Sequence, residues 1–289
     1  MASCYTPFVI YREAFLSIHI ILPDMQVKAD IPLEHLSWVG QYIVDEFYDK
    51  DDVTIINLGD FTDFPSLSMY DRGKKAMEGR RYLIDVDAGN NGWGILNAPL
   101  VAHNKNLAKT KHAQWKPRKI ILLGNHEDRV TRATEDNAQL SELLNLDHLD
   151  YARSGWEVIP FLEVLWVDGV AYSHYFYNPM TGKALGGASI DTRLKTVGHS
   201  FTMGHQQTLM YGLRFVGGKS QHGLVAGACY LHDEDYKGPQ GNAHWRGIIV
   251  KYEVSDGSYC PLFVSLDFLC RRYEGVTLDK FMAKKYPNL

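Results

Sequence analysis

Short apolar runs that stop abruptly at polar residues dominate the first two thirds of the chain. Residues 14–22 (AFLSIHIIL), 53–58 (VTIINL) and 119–123 (KIILL) are continuous and β-branched, the pattern of strands buried on both faces. Residues 33–48 carry apolar side chains at 36, 39, 43, 44 and 47, a helical spacing. The order strand, helix, strand is a β-α-β opening. Residues 74–100 predict a second helix interrupted by glycines, and 103–118 a basic loop. Residues 131–149 predict a third helix, with apolar positions at 140, 143, 144, 146 and 149.

Beyond residue 150 the rhythm shortens. Residues 157–173 predict two strands broken at Asp168-Gly169, a hairpin signal. A Gly-rich loop (182–187), a helix (188–196) and a short strand (200–203) follow. The last third reads as β-rich, with strands at 209–216, 223–231, 245–254 and 261–269 and turns at Gly217-Gly218 and Asp256-Gly257. No internal repeat and no low-complexity segment is present.

Composition changes this picture little. The chain has 289 residues, 45% of them apolar, enough for a substantial core in a single domain spanning 1–289. Cysteines stand at 4, 229, 260 and 270 without a C-x-x-C pair, which predicts a reducing cytoplasm rather than a disulfide framework. No apolar stretch reaches the roughly 20 residues that span a bilayer. Arg12 and Glu13 interrupt the N-terminal apolar patches and no small-residue cleavage site follows, so a signal peptide is not expected, and the first dozen residues read as a loose leader.

Charge is more informative by position than in total. The formal net charge is −4, yet residues 65–119 hold eleven Lys/Arg against four acids, +7, leaving −4 − 7 = −11 for the rest. This basic helical and loop insertion separates the second strand from the third. Arg72, Lys74, Lys75, Arg80 and Arg81 are candidates for holding nucleic-acid phosphates, beside the plainer reading of a solvated face. Trp93 and Trp115 fit base stacking less readily than core packing.

The candidate chemistry sits where the apolar runs end. Asp24, Asp60, Asn125, His174 and His205 each follow a strand, and in α/β sheets ligands gather beyond the carboxyl ends of strands. Two carboxylates, an amide and two imidazoles suit divalent metals of borderline hardness, such as Mn²⁺, Fe²⁺ or Zn²⁺. His126, beside Asn125, is a candidate proton donor. Some of these residues have plainer readings. Asp60 could cap a helix, Asn125-His126 could form a polar turn, and His174, among Tyr172, Tyr175 and Tyr177, could be a hydrogen-bonded core histidine. Gly198-His199 mimics Gly204-His205 but precedes its strand. Asp63, Glu127 and Asp128 read as helix-start carboxylates or as groups behind the ligands.

The blocks Asp24-Met25-Gln26, Gly59-Asp60, Gly124-Asn125-His126-Glu127, His174 and Gly204-His205-Gln206-Gln207, in this order, resemble those of the calcineurin-like metallophosphoesterases over about residues 17–210. In detail they resemble versions found in tailed bacteriophages, which would place the protein in a host-cell cytoplasm. The resemblance implies an α/β fold of two mixed β-sheets packed face to face and flanked by helices. It implies that Asp60 bridges two metals, that Asn125, His174 and His205 complete one site, that Asp24 belongs to the other, and that His126 is the acid at the leaving group. Gln26 and Gln207 stand where the family carries histidines. Amide oxygens are harder and weaker ligands than imidazole, so the Asp24 site is expected to favour Mn²⁺ or Mg²⁺ over Zn²⁺, and one ion or two remain open, as does a solvent-facing Gln207. The expected activity is metal-dependent hydrolysis of a phosphoester, a diester ahead of a monoester, with DNA or RNA as the favoured substrate. The alternatives are a phosphomonoesterase, or a nucleic-acid-binding or assembly protein with a structural metal site. The oligomeric state is not legible.

Overall fold

The computed structural model describes residues 16–234 and 237–287. Ala14 and Phe15, expected to open the first strand, and the N-terminal dozen residues with Cys4 lie outside them. The chain opens as the apolar pattern requires. Strand β1 (Ser17–Leu22) leads to helix α1 (Glu34–Phe47), strand β2 (Val53–Asn57), helix α2 (Tyr82–Lys109) and strand β3 (Arg118–Leu122). The three strands pair in parallel. Alternation along each strand divides its side chains between two layers. Ile55 and Ile121 face the helix side, and Ile56, Ile120 and Leu122 face the second sheet.

The insertion is less of an appendage than its charge suggests. Its start, 65–81, is a string of short 3-10 turns with left-handed glycines at Gly73 and Gly79, so the helix begins at Tyr82, not at Lys74. It then runs through Pro99 and past the expected end at residue 100 to Lys109, so that residues 103–109, read as loop, are helical. Helix α2 buries Val86, Trp93 and Leu96, Trp93 among Phe61, Tyr151 and Trp156, and Gly40 of α1 lets the helices touch: a Cβ there would lie 2.2 Å from the Leu96 carbonyl oxygen. Tertiary packing thus overrides the glycines and the proline. Trp93 is core, and Trp115 packs at its edge.

After β3, helix α3 (Asp128–Asp136) stops well short of the expected Leu149. The side chains of Asn137 and Asn145 accept hydrogen bonds from the backbone two residues on, at Gln139 and Asp147, turning the rest into 3-10 turns. The apolar stretch 157–173 makes three strands rather than two. β4 (Glu157–Ile159) pairs with β3, and after Pro160 the hairpin β5 (Leu165–Val167) and β6 (Val170–Ser173) opens the second sheet. Helix α4 (Ile190–Val197), β7 (Phe201–Met203) and the hairpin β8 (Leu209–Val216) and β9 (Lys219–Ala226) complete that sheet. The left-handed Gly227 ends β9 before the expected residue 231. A short helix, α5 (Gly238–Asn242), precedes β10 (Gly247–Ser255) and β11 (Ser258–Ser265), which return to the first sheet. Ser265 caps helix α6 (Leu266–Glu274) by accepting from the Phe268 N–H, and α7 (Leu278–Lys285) closes the chain, so the expected strand 261–269 is half helix.

The result is the expected α/β sandwich. A six-stranded mixed sheet, β11-β10-β1-β2-β3-β4, faces a five-stranded one, β5-β6-β7-β9-β8. Ile21, Ile56 and Leu122 interdigitate with Val170, Tyr172 and Leu224 between them. Helices α1, α2, α6 and α7 cover the outer face of the larger sheet, and α4 that of the smaller. The parallel strands β1, β2, β3, β6 and β7 all end at one edge of this sandwich. Among the described residues no helix is long and apolar enough to cross a membrane.

Candidate metal centre

Glycines set the edge. Gly59 adopts φ +92, and a Cβ on Gly124 would fall 2.1 Å from an Asp60 carboxylate oxygen, so only glycine lets the loops after β2 and β3 meet. A Cβ on Gly204 would likewise fall 2.5 Å from Asp24. Gln26, Asp60, His205 and Gln207 all take left-handed backbone, φ between 49 and 66, a strain that clusters at working sites.

These loops bring Asp60, Asn125, His174 and His205 together. The Asp60 carboxylate, a His174 nitrogen and a His205 nitrogen all lie within 4.8 Å of one another. Asn125 Oδ1 is 2.9 Å from His174 Nε2 and 2.6 Å from His205 Nδ1, and His174 Nε2 is 3.3 Å from Asp60 Oδ2. His174 Nδ1 donates to the Leu58 carbonyl at 2.7 Å. A neutral His174 therefore turns its Nε2 lone pair toward two oxygens, an arrangement that needs a proton or a metal cation between them. Burial disfavours the charged imidazole, but Asp60 and then Asp24 outweigh it and push His174 up to about 9. His205, partly buried and beside His174, is pushed down to about 4 by desolvation and then by His174. This buried Asp/His/His group, with Asn125, fits a divalent cation.

Asp24 and Gln26 lie alongside. Asp24 is fully buried. Its Oδ1 accepts the His205 backbone N–H at 2.9 Å, and its Oδ2 has no hydrogen-bond partner. Burial, then Asp60, pushes its carboxyl up to about 7. Gln26 donates to Asp60 Oδ2 at 3.3 Å and its own buried Oε1 is unpartnered. These are two buried acceptor oxygens without a hydrogen-bond partner. Gln207 is placed differently: its Oε1 accepts hydrogen bonds from Tyr230 at 2.8 Å and from Lys237.

His126 stands next to the centre, with Nε2 3.7 Å from Asp60 Oδ2. Its Nδ1 is held by Asp63 Oδ1 at 2.6 Å, and Arg129 donates to the Asp63 carbonyl at 2.8 Å. Burial works against a charged imidazole, but Asp60 and Asp63 outweigh it and hold His126 above its ordinary range. Lys28 ties Asp63, at 3.4 Å, to Glu234, at 3.0 Å. His199 sits at the opposite end of β7, its ring on Trp166 at 4.5 Å.

The basic run lies on the turns leading into α2. Arg80 is bound to Asp71 at 2.9 Å, Lys74 is 3.7 Å from the same carboxylate, and Arg81 donates to the Arg80 carbonyl. Arg72 and Lys75 are exposed. None of the five lines the cleft at the metal centre, where the structure instead places Arg129 and Arg132 with Tyr70, Phe161, Tyr175 and Tyr177. Sequence reasoning passed over these six. The signal for the arginines was their place three and six residues after His126, at the start of a helix leaving the site. No protein-family model matches the chain, and no curated protein matches it.

Proposed function

We propose that the protein is a metal-dependent phosphoester hydrolase of the calcineurin-like kind, acting on a phosphodiester as a nuclease does. The convergence of Asp60, Asn125, His174 and His205 beside the His126–Asp63 pair carries this reading. A divalent ion held by Asp60, Asn125, His174 and His205 would supply Lewis-acid charge at the phosphate and activate water for attack. Asp60 is the carboxylate common to both ligand groups. The Asp24–Gln26 group, oxygen only, suits Mn²⁺ or Mg²⁺, and the commitment of Gln207 to Tyr230 and Lys237 leaves it a weaker site than the histidine one.

The chain's own residues do the rest. His126 is the group placed to protonate the departing oxygen through Nε2, which in this structure accepts from Arg129 at 3.2 Å. Asp63 fixes the ring through Nδ1, and Asp60 with Asp63 favours its charged form. Arg129 and Arg132 add positive charge at the phosphate's side of the cleft. The test is hydrolysis of bis-p-nitrophenyl phosphate by metal-stripped protein titrated with Mn²⁺, Mg²⁺ and Zn²⁺. Mn²⁺-dependent turnover that drops at least about a hundredfold in Asn125→Ala is expected. Silence with every ion would sink the generic diesterase reading.

A further inference from the structure

Beside the Asp60–His174–His205 group lies a cleft of about 390 Å³, within the roughly 300–1,000 Å³ typical of small-ligand sites. One wall is a row of rings. Tyr175 lies against His205 at 4.7 Å between centroids, Phe161 meets Tyr175 edge to face at 5.6 Å, and Tyr177 does the same at 5.6 Å. The row thus leads outward from a candidate ligand. Tyr177 is 49% exposed, and Tyr70, elsewhere on the lining, is 84% exposed. Neither ring is there to fill a core. Arg129 and Arg132 line the same cleft, Arg129 beside the Asp63 carboxylate at 3.3 Å and Arg132 beside Asp128, so carboxylates fix both guanidinium groups there. Arg132 is held in place by Asp128 at 3.1 Å and by the Asn125 carbonyl at 2.8 Å.

Exposed flat π-faces next to fixed guanidinium groups, all adjoining a phosphate-type metal centre, make a site for a planar, hydrogen-bonding ring joined to a phosphate. We propose that this cleft binds the nucleoside attached to the scissile phosphate, with its base unpaired and stacked on Tyr70 or Tyr177 and its phosphate beside Arg129 and Arg132. The substrate class is therefore single-stranded nucleic acid or a nucleotide diester, not duplex. A paired base has both faces already stacked on its neighbours and presents only its edges.

The catalytic part rests on the hydrolase reading above, and the binding part does not, so two measurements separate them. The first compares kcat/KM for thymidine 5′-(p-nitrophenyl) phosphate and methyl p-nitrophenyl phosphate, which share a leaving group and differ by the nucleoside. The second is equilibrium binding of a fluorescein-labelled oligothymidylate and of the same strand in duplex, with Mn²⁺ present. The wild-type protein is expected to prefer the nucleoside ester at least tenfold and the single strand over the duplex. In the Tyr70→Ala/Tyr177→Ala variant both preferences should shrink at least fivefold, the scale of one lost base–aromatic stack. Both rings are exposed, so the variant should keep the wild-type thermal midpoint. Turnover of both esters without nucleoside preference would overturn the proposal and leave the hydrolase standing. Absent turnover, with single-strand binding that the variant loses, would uphold the proposal and discard the hydrolase. Duplex bound as tightly as single strand, or no binding and no preference, would overturn it.

Discussion

Glu127 shows how one buried side chain can hold a site it does not belong to. Its carboxylate accepts hydrogen bonds from the backbone N–H groups of Asp60, Thr62 and Gly124, all at 2.9 Å, and from the Tyr151 hydroxyl at 3.2 Å. One residue therefore fastens the loop after β2 to the loop after β3, and so sets Asp60 against Asn125. Truncation to alanine leaves three buried N–H groups without a partner, at roughly 1–3 kcal/mol each. With partial relaxation, Glu127→Ala should lose about 3–5 kcal/mol in urea unfolding, and Mn²⁺ affinity should fall about 10–100-fold, as when a group supporting a ligand is removed. Glu127→Gln should restore less than half, because its amide nitrogen turns a donor toward donors. A Glu127→Ala protein with wild-type midpoint and Mn²⁺ affinity would show that the loops hold themselves.

At the scale of elements, the strand ends are made by glycines that allow no side chain. A Cβ on Gly124 meets Asp60 at 2.1 and 2.3 Å, backbone included, so Gly124→Ala should cost about 2–4 kcal/mol and disrupt Mn²⁺ binding measured by calorimetry. Gly94 is the internal control. It is exposed on α2, nothing lies within 4 Å of its Cβ direction, and Gly94→Ala should raise stability by about 0.5–1 kcal/mol. The same contrast explains what was legible. Strands ending in Gly-Asp, Gly-Asn-His and Gly-His could be read because burial on both faces leaves an unbroken apolar run, and the chemistry starts where it stops. The extent of α2 could not, because its stability comes from α1 across Gly40 and not from its own glycine-containing sequence. The end of α3 could not, because Asn137 and Asn145 break the helix by bonding to their own backbone. Helix α6 carried ordinary signals, Ser265 and Asp267 at its start and Arg271, Arg272 and Gly275 at its end, but they follow β11 without a loop and were absorbed into the strand. The aromatic lining of the cleft was unreadable as a unit, since Tyr70, Phe161 and the pair Tyr175 and Tyr177 come from three separate segments that only the fold assembles.

For the molecule as a whole, buried titratable groups tie stability to pH. His35, in the first turn of α1, is fully buried. Burial first, then the neighbouring His232, with Arg246 adding and Glu34 opposing, push its imidazole down to about 3. The unfolded chain protonates the same ring near 6.5. Between those values the unfolded state binds one proton more, so stability falls as pH falls, by up to about 1.4 kcal/mol per pH unit, and above about pH 7 this contribution is flat. Asp24 works in the opposite sense in metal-free protein. Its folded carboxyl, pushed up to about 7, takes a proton that the unfolded chain does not hold until about pH 4, so stability gains as pH drops across that window. A cation held at Asp24 would keep the carboxylate charged and remove this gain. The wild-type pH profile thus mixes opposing slopes, and the His35 slope is isolated by difference. Stability of His35→Gln minus that of wild type, from urea unfolding with chelator, should rise by about 2–3 kcal/mol between pH 6.5 and 4.5 and stay constant between pH 7 and 8. The same increment is expected with Mn²⁺ present, because His35 is not among the candidate ligands. An increment that appeared only with chelator would mean that His35 titrates together with the metal centre, and that α1 and the strand-end loops respond to protons as one unit.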